Sequence, residues 1–307
     1  LSAVALGTNV GLYTQGTYAI AIGYQTAFYG QAQSSIAIGT LTAVTNQGQY
    51  AIAIGNQTGG STQQSGAIAI GLSSGQTNQG INAIAMGILA GAATQGQNAV
   101  SLGYSAGQSG QGLAGIAIGY SAGAATQGTQ AIAIGQQAGQ TQQGLYAVAV
   151  GYQAAYNYQS QRAIAIGINS GLNTQGYASI AIGGSAGQES QQSAAIAIGV
   201  NAGANTQGTQ AIALGLSAGS YIQGSAGIAI GSSAGQANQG ISAVAIGTGA
   251  GFNTQGSAAI SIGYQSGYTV QGVNALAIGA NAGAATQGSG AVAIGLTAGN
   301  TAQTVNA

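Results

Sequence analysis

Apolar and polar positions along this chain follow one short pattern, repeated without interruption. The stretch Ala131-Ile132-Ala133-Ile134-Gly135 alternates small and branched apolar residues, then gives way to a variable polar segment that ends in Gln143. The same pattern returns at every sixteenth position: Gly7, Gly23, Gly39 and their successors reach Gly295 without a miss, in eighteen equal steps. Nineteen repeats therefore tile residues 3–306 with no insertion. With Ala3 as position 1, the repeat reads A-I-A-I-G-x-x-A-G-x-x-x-Q-G-x-x. Alternation with period 2 over Ala-Ile-Ala-Ile predicts a strand, and Ile and Val favour one. The Gly at position 5 permits a turn with positive φ. Glycines at position 9, and usually at position 14, are expected to supply two further corners.

One repeat is thus expected to make one coil, and the fold class is all-β: a parallel β-solenoid or β-roll of nineteen such coils. At an inter-strand spacing of ~4.8 Å, eighteen steps would extend on the order of 85–90 Å. Helical-repeat solenoids need units of about 33 residues or more and strong helix formers, which this repeat lacks. Nothing marks a linker or domain boundary, so residues 1–307 are expected to form a single repeat array. A weaker super-period of five repeats, with Thr14, Thr94, Thr174 and Thr254 each followed by Gln-Gly, hints at growth by duplication of a five-repeat block. A chain that opens on Leu1 rather than Met is expected to be a processed product or a segment of a longer fibre protein.

Each column of the repeat carries its own expectation. Position 2 is Ile, Val or Leu throughout, including Ile20, Ile132 and Ile164, and position 4 is Ile, Leu, Val or Met. Positions 1 and 3 are only Ala, Ser or Gly. The Ile side is expected to fill the coil and to stack as a structural ladder. The Ala side is then apolar as well, where a solvated strand face should be polar. It is expected either to pack on a neighbouring chain, most simply in a closed homotrimer, or to be small and merely tolerated in water. Position 13 is Gln in every repeat, from Gln15 through Gln127, Gln143 and Gln159 to Gln303. A side-chain amide can stack on its own copies or cap a backbone turn. The column is expected to be buried and hydrogen-bonded in that way, with a repeated ligand contact as the other reading.

Composition removes most chemistry. The chain is 1% charged, with Arg162 and Glu189 its only basic and acidic residues, against roughly a quarter in ordinary proteins. His and Cys are absent, so no triad, Cys–His pair or His/Cys/carboxylate metal shell can be assembled. No enzyme activity and no cofactor or metal are expected. One Arg gives no footprint for nucleic acid. No apolar run approaches the ~18 residues of a membrane span, so no membrane insertion is expected. The two charges occupy turn positions and read as solvated. Gly247-Thr-Gly-Ala-Gly251 looks like a phosphate loop, but the repeat explains its glycines and no Lys follows. Asn56-Gln57-Thr58 matches the N-glycosylation pattern at an expected accessible turn.

Tyr24, Tyr104, Tyr120, Tyr152 and Tyr264 share position 6, just after the turn glycine. They are candidate contacts for a glycan, or simply residues that a turn accepts.

The stretches Ala19-Ile-Ala-Ile-Gly-Tyr-Gln25 and Ala163-Ile-Ala-Ile-Gly-Ile-Asn-Ser-Gly171 resemble the head repeats of YadA-like trimeric autotransporter adhesins and related phage and large-virus fibre repeats. The resemblance runs the length of the chain. It implies a left-handed parallel β-roll, a homotrimer, and a fibre or adhesin on a cell or virion surface. The adhesin repeat is usually shorter than this one, so the corners or the trimer packing here should differ. The family's anchor, stalk and neck are not among these residues, so nothing about anchoring or secretion carries over. The leading expectation is a structural surface fibre or filament subunit whose partner is itself, as a homotrimer or by end-to-end or lateral assembly. The alternatives are a glycan- or surface-binding adhesin, a functional amyloid and an ice-binding protein.

Overall fold

The computed structural model describes residues 2–307. By internal contacts the chain divides into two compact units, Leu1–Asn157 and Tyr158–Ala307. Each is a stack of 16-residue coils, all-β and parallel. In the first unit, Val4 pairs with Ile20, Ile20 with Ile36 and Ile36 with Ile52. In the second, Ile164 pairs with Ile180 and Ile180 with Ile196. Every residue therefore meets its counterpart one repeat on, as the period requires. In each unit a second, narrower set of parallel strands runs through the Gln column. These include Thr126–Gln127 and Gln142–Gln143 in the first unit, and Tyr158–Gln159 and Thr174–Gln175 in the second.

The corners explain how so short a coil closes on itself. In the coil 131–146, φ is 123° at Gly135, 57° at Gln137, 53° at Gly139 and 60° at Tyr146. Positions 5 and 9 are the expected glycine corners. Positions 7 and 16 are left-handed too, though they mostly hold residues other than Gly: Gln, Asn, Ser, Ala, Tyr, Leu, Thr or Arg. Position 14 was expected to be a corner, and its glycines are not left-handed. Where glycine stands there it permits a close approach, since a Cβ on Gly128 would lie 2.6 Å from the carbonyl carbon of Gly144, although Ala32, Gln64, Ser160, Gln192 and Thr304 occupy the same position in other repeats.

Early coils differ from later ones for a visible reason. Strands Ile20–Tyr24, Ile36–Thr40 and Ile52–Asn56 run to position 6, whereas later ones stop at position 4. In those coils position 8 is Thr26, Thr42 or Thr58, whose hydroxyls donate to the carbonyls of Gly39, Gly55 and Gly71 in the next coil. In later coils position 8 is often Ala, and its amide closes a turn onto the position-5 carbonyl, as Ala138 does onto Gly135 at 3.4 Å.

The interior overturns one expectation. Ile was expected to fill the coil and Ala to face outward; the two faces are reversed. Ala131, Ala133 and Ala138 are fully buried, while Ile132 is half-buried and Ile134 is 37% exposed. Ile20 and Ile164 are likewise only half-buried. The reason is room. A 16-residue coil brings its opposite walls so close that only small side chains (Ala, Ser and Thr), glycines and one flat amide fit between them. A Cβ on Gly139 would already stand 3.4 Å from the Ala133 methyl and 3.0 Å from the Gln143 amide. The Ala face therefore cannot pack on a neighbouring chain, and any trimer must use another surface.

Candidate functional site

Two features run the length of each unit: the Gln column inside and the Ile face outside. Gln127 and Gln143 are each 2% exposed and Gln159 is 3%. The Nε2 of Gln127 donates to the Ile116 carbonyl at 2.7 Å, to the Ala131 carbonyl at 3.1 Å and to Oε1 of Gln143 at 3.2 Å. Gln143 donates to the Ile132 and Ala147 carbonyls, and Gln159 to the Ala163 carbonyl and Gln175 Oε1. Gln127 therefore does three things: it crosses the coil to the wide sheet of its own repeat, it ties to the start of the next repeat, and it links to the next amide. The first two bonds recur along the column, whereas the amide–amide link is intermittent, and Gln31, Gln47, Gln95 and Gln239 keep a buried Oε1 without a partner. Two amide hydrogens serve three acceptors, so one hydrogen is shared. At the terminal coils, Gln15 still reaches the Val4 carbonyl, while Gln303 holds the Val292 carbonyl at 3.4 Å.

Two buried serines join the amide column. Ser101 and Ser261 stand at position 3, where Ala is usual. Gln95 donates to the Ser101 hydroxyl, which donates to Gln111 Oε1 at 2.7 Å, so the hydroxyl bridges two successive amides. Gln111 Nε2 turns to the Val100 and Gly115 carbonyls, and Gln127 Oε1 is left buried without a partner. Ser261 holds Gln271 Oε1 in the same way.

Outside, positions 2 and 4 present two parallel rows of Ile, Val and Leu. Position 6 flanks them with further exposed apolar residues, among them Leu72, Ile88, Ile168, Val200 and Leu216. From strand spacing and residue rise, the two rows cover about 400 Å² in each unit. That lies within the range of the largest patch a typical monomer exposes. No charged residue interrupts this face: Arg162 and Glu189 sit at turns. Arg162 donates to the Tyr177 hydroxyl at 2.8 Å, and Glu189 accepts from Asn173 at 2.6 Å.

The five position-6 tyrosines are all exposed. Only Tyr104 and Tyr120 come together, stacked with ring centroids 5.1 Å apart. Tyr24, Tyr152 and Tyr264 stand on separated coils. The structure adds two stacked pairs outside that set, Tyr13 with Tyr29 and Phe252 with Tyr268. Their 16-residue separations are the signal that finds them. A shallow groove in the second unit is lined by Asn205, Thr206, Tyr221, Ile222, Ala237 and Asn238. In the glycosylation pattern Asn56 is exposed, but Thr58 is fully buried with its hydroxyl engaged by Gly71. The intact motif is therefore not accessible in the folded coil.

Among the described residues no three His, Cys, Asp or Glu cluster to hold a metal, and no helix is long and apolar enough to cross a membrane. No protein-family model matches the chain, and no curated protein matches it either.

Proposed function

We propose that this chain is a structural subunit of a surface fibre or filament, without catalytic activity, whose outer Ile face packs against further copies of itself. The observation that carries the reading is that face: flat, in register, uncharged and continuous through each unit. Two such faces remove apolar area from water at about 25 cal/mol per Å², and no buried charge opposes them. A near-neutral protein has little repulsion to keep copies apart. The resemblance to trimeric adhesin and virus-fibre repeats supports a closed, left-handed homotrimer outside the cell or on a virion. Sedimentation velocity on the chain and on the combined variant Ile196→Asp, Ile212→Asp, Ile228→Asp tests the reading. The parent should sediment as an oligomer and the variant as a folded monomer. A monomeric parent at all concentrations would refute it.

A second reading, recognition of a neutral glycan, is favoured by the groove around Tyr221. Aromatic and amide side chains without charge suit a sugar ring and its hydroxyls. A glycan array decides it: binding that Tyr221→Ala abolishes supports an adhesin, and no binding leaves the structural role alone.

A further inference from the structure

Fibres that must last are commonly cross-linked, and this chain lacks the usual means. It has no Cys for disulfides, and its one basic residue is Arg162, so it has no Lys for amide cross-links. What it has is fifteen tyrosines, with no Trp or His and a single Met competing for oxidants. Two pairs of those tyrosines sit one coil apart on the surface. The rings of Tyr104 and Tyr120 lie 5.1 Å apart and 8° from parallel, and those of Tyr13 and Tyr29 lie 5.0 Å apart, also at 8°. All four are exposed.

We propose that these two pairs are sites of oxidative dityrosine formation, each joining one coil covalently to the next, with a peroxidase and hydrogen peroxide as the oxidising system. Each phenol gives up one electron and one proton to become a phenoxyl radical. Two radicals join through a carbon–carbon bond between the ring positions next to the oxygens. The hydrogen on each joined carbon then moves to its oxygen and restores the phenol. The pair loses two hydrogen atoms in all, and one peroxide takes them up to give two waters. Coupling normally waits on an encounter between two short-lived radicals, and held neighbours avoid that wait. Face-to-face rings must slide edge to edge to bond, which exposed turn side chains do by changing χ1 and χ2. The product closes a loop from one repeat to the next and limits the freedom of the unfolded chain, as a disulfide does.

Phe252 and Tyr268 supply the control. Their rings stack at 4.8 Å and 9°, but Phe252 has no phenol and cannot couple. The test is to treat dilute folded protein with peroxidase and peroxide, isolate the monomer band on a denaturing gel, and map dityrosine by fluorescence and peptide mass. Coupled peptides should join Tyr104 to Tyr120 and Tyr13 to Tyr29. Tyr104→Phe should remove only the first and Tyr13→Phe only the second, while Phe252→Tyr should create a third pair with Tyr268. The same treatment in denaturant should scatter the product over many tyrosines. Absence of dityrosine from the folded monomer, the same distribution folded and denatured, or no new pair in Phe252→Tyr would each overturn the proposal.

Discussion

Substituting Ala213 by Leu asks the coil to hold one large side chain inside, and the structure says what that does. Ala213 is fully buried in a cluster with Ala197, Ala218, Ala229 and Ala234. Its methyl stands 3.4 Å from where a Cβ on Gly219 would lie, and the Gln223 amide fills the space beside it. Three added carbons have nowhere to go without displacing that amide. Overpacking costs ~1–3 kcal/mol. Gln223 would also lose its bonds to the Ile212 carbonyl at 2.6 Å and the Gly227 carbonyl at 3.0 Å, and its link from Gln207 at 3.1 Å. Leaving such groups unpaired costs a further ~1–3 kcal/mol, for a total of about 2–6 kcal/mol. Ile212→Ala, one residue away on the outer face, removes a half-buried side chain and should cost the monomer only about 1 kcal/mol. Denaturant unfolding followed by circular dichroism measures both. Solenoid coils unfold partly independently, so hydrogen exchange over residues 196–229 should show where the loss falls. An Ala213→Leu chain as stable as the parent, with Ile212→Ala collapsing the monomer, would refute the inside–outside assignment.

Gln127→Leu should destabilise by ~1–3 kcal/mol, because the Ile116 and Ala131 carbonyls lose their donor. Gln127→Glu should cost more and respond to pH. Burial beside carbonyl oxygens raises that carboxyl's pKa above its unfolded value, so the variant is least impaired in acid and loses stability as pH rises. The parent, whose only carboxylate side chain is the exposed Glu189, should unfold at nearly the same denaturant concentration from mildly acidic to mildly basic pH. Gly135→Ala combines φ of 123° with a Cβ 2.5 Å from the Gly151 carbonyl oxygen, and should cost about 2–4 kcal/mol in the same assay. Ala178→Asn, at a left-handed position with φ of 54°, should raise stability by about 0.5–1 kcal/mol, read as a higher midpoint.

Much of the fold could be read from spacing. An unbroken 16-residue period with a five-residue alternating segment leaves little but stacked coils, and Ile20 over Ile36 over Ile52 follows directly. The Gln column could be read because it never varies beside neighbours that do. The direction of the strand faces was not legible from alternation, since period 2 defines two faces without saying which is inside. Taking the bulkier face as the core is the usual inference, and here it fails because the coil is too thin. The useful signal was the size limit. Positions 1 and 3 never exceed Ala or Ser, whereas positions 2 and 4 accept Ile, Val, Leu and, at position 4, Met86. A strict ceiling on volume marks a closed interior. The left-handed corners at positions 7 and 16 were invisible for another reason. Leu41, Leu89 and Arg162 hold φ between 52° and 60°, a conformation the residue type does not announce and the neighbouring coils impose.

The chain has no native cysteine, so a single introduced thiol reports on one position. The direct test of an alanine-lined coil with an outward Ile face covered by other copies is the alkylation rate of Ile212→Cys and Ala213→Cys across protein concentration. The thiol at 212 should react quickly in dilute protein and slow markedly as copies associate. The thiol at 213 should react slowly throughout. Fast labelling at 213, or a rate at 212 that does not change with concentration, would contradict the account.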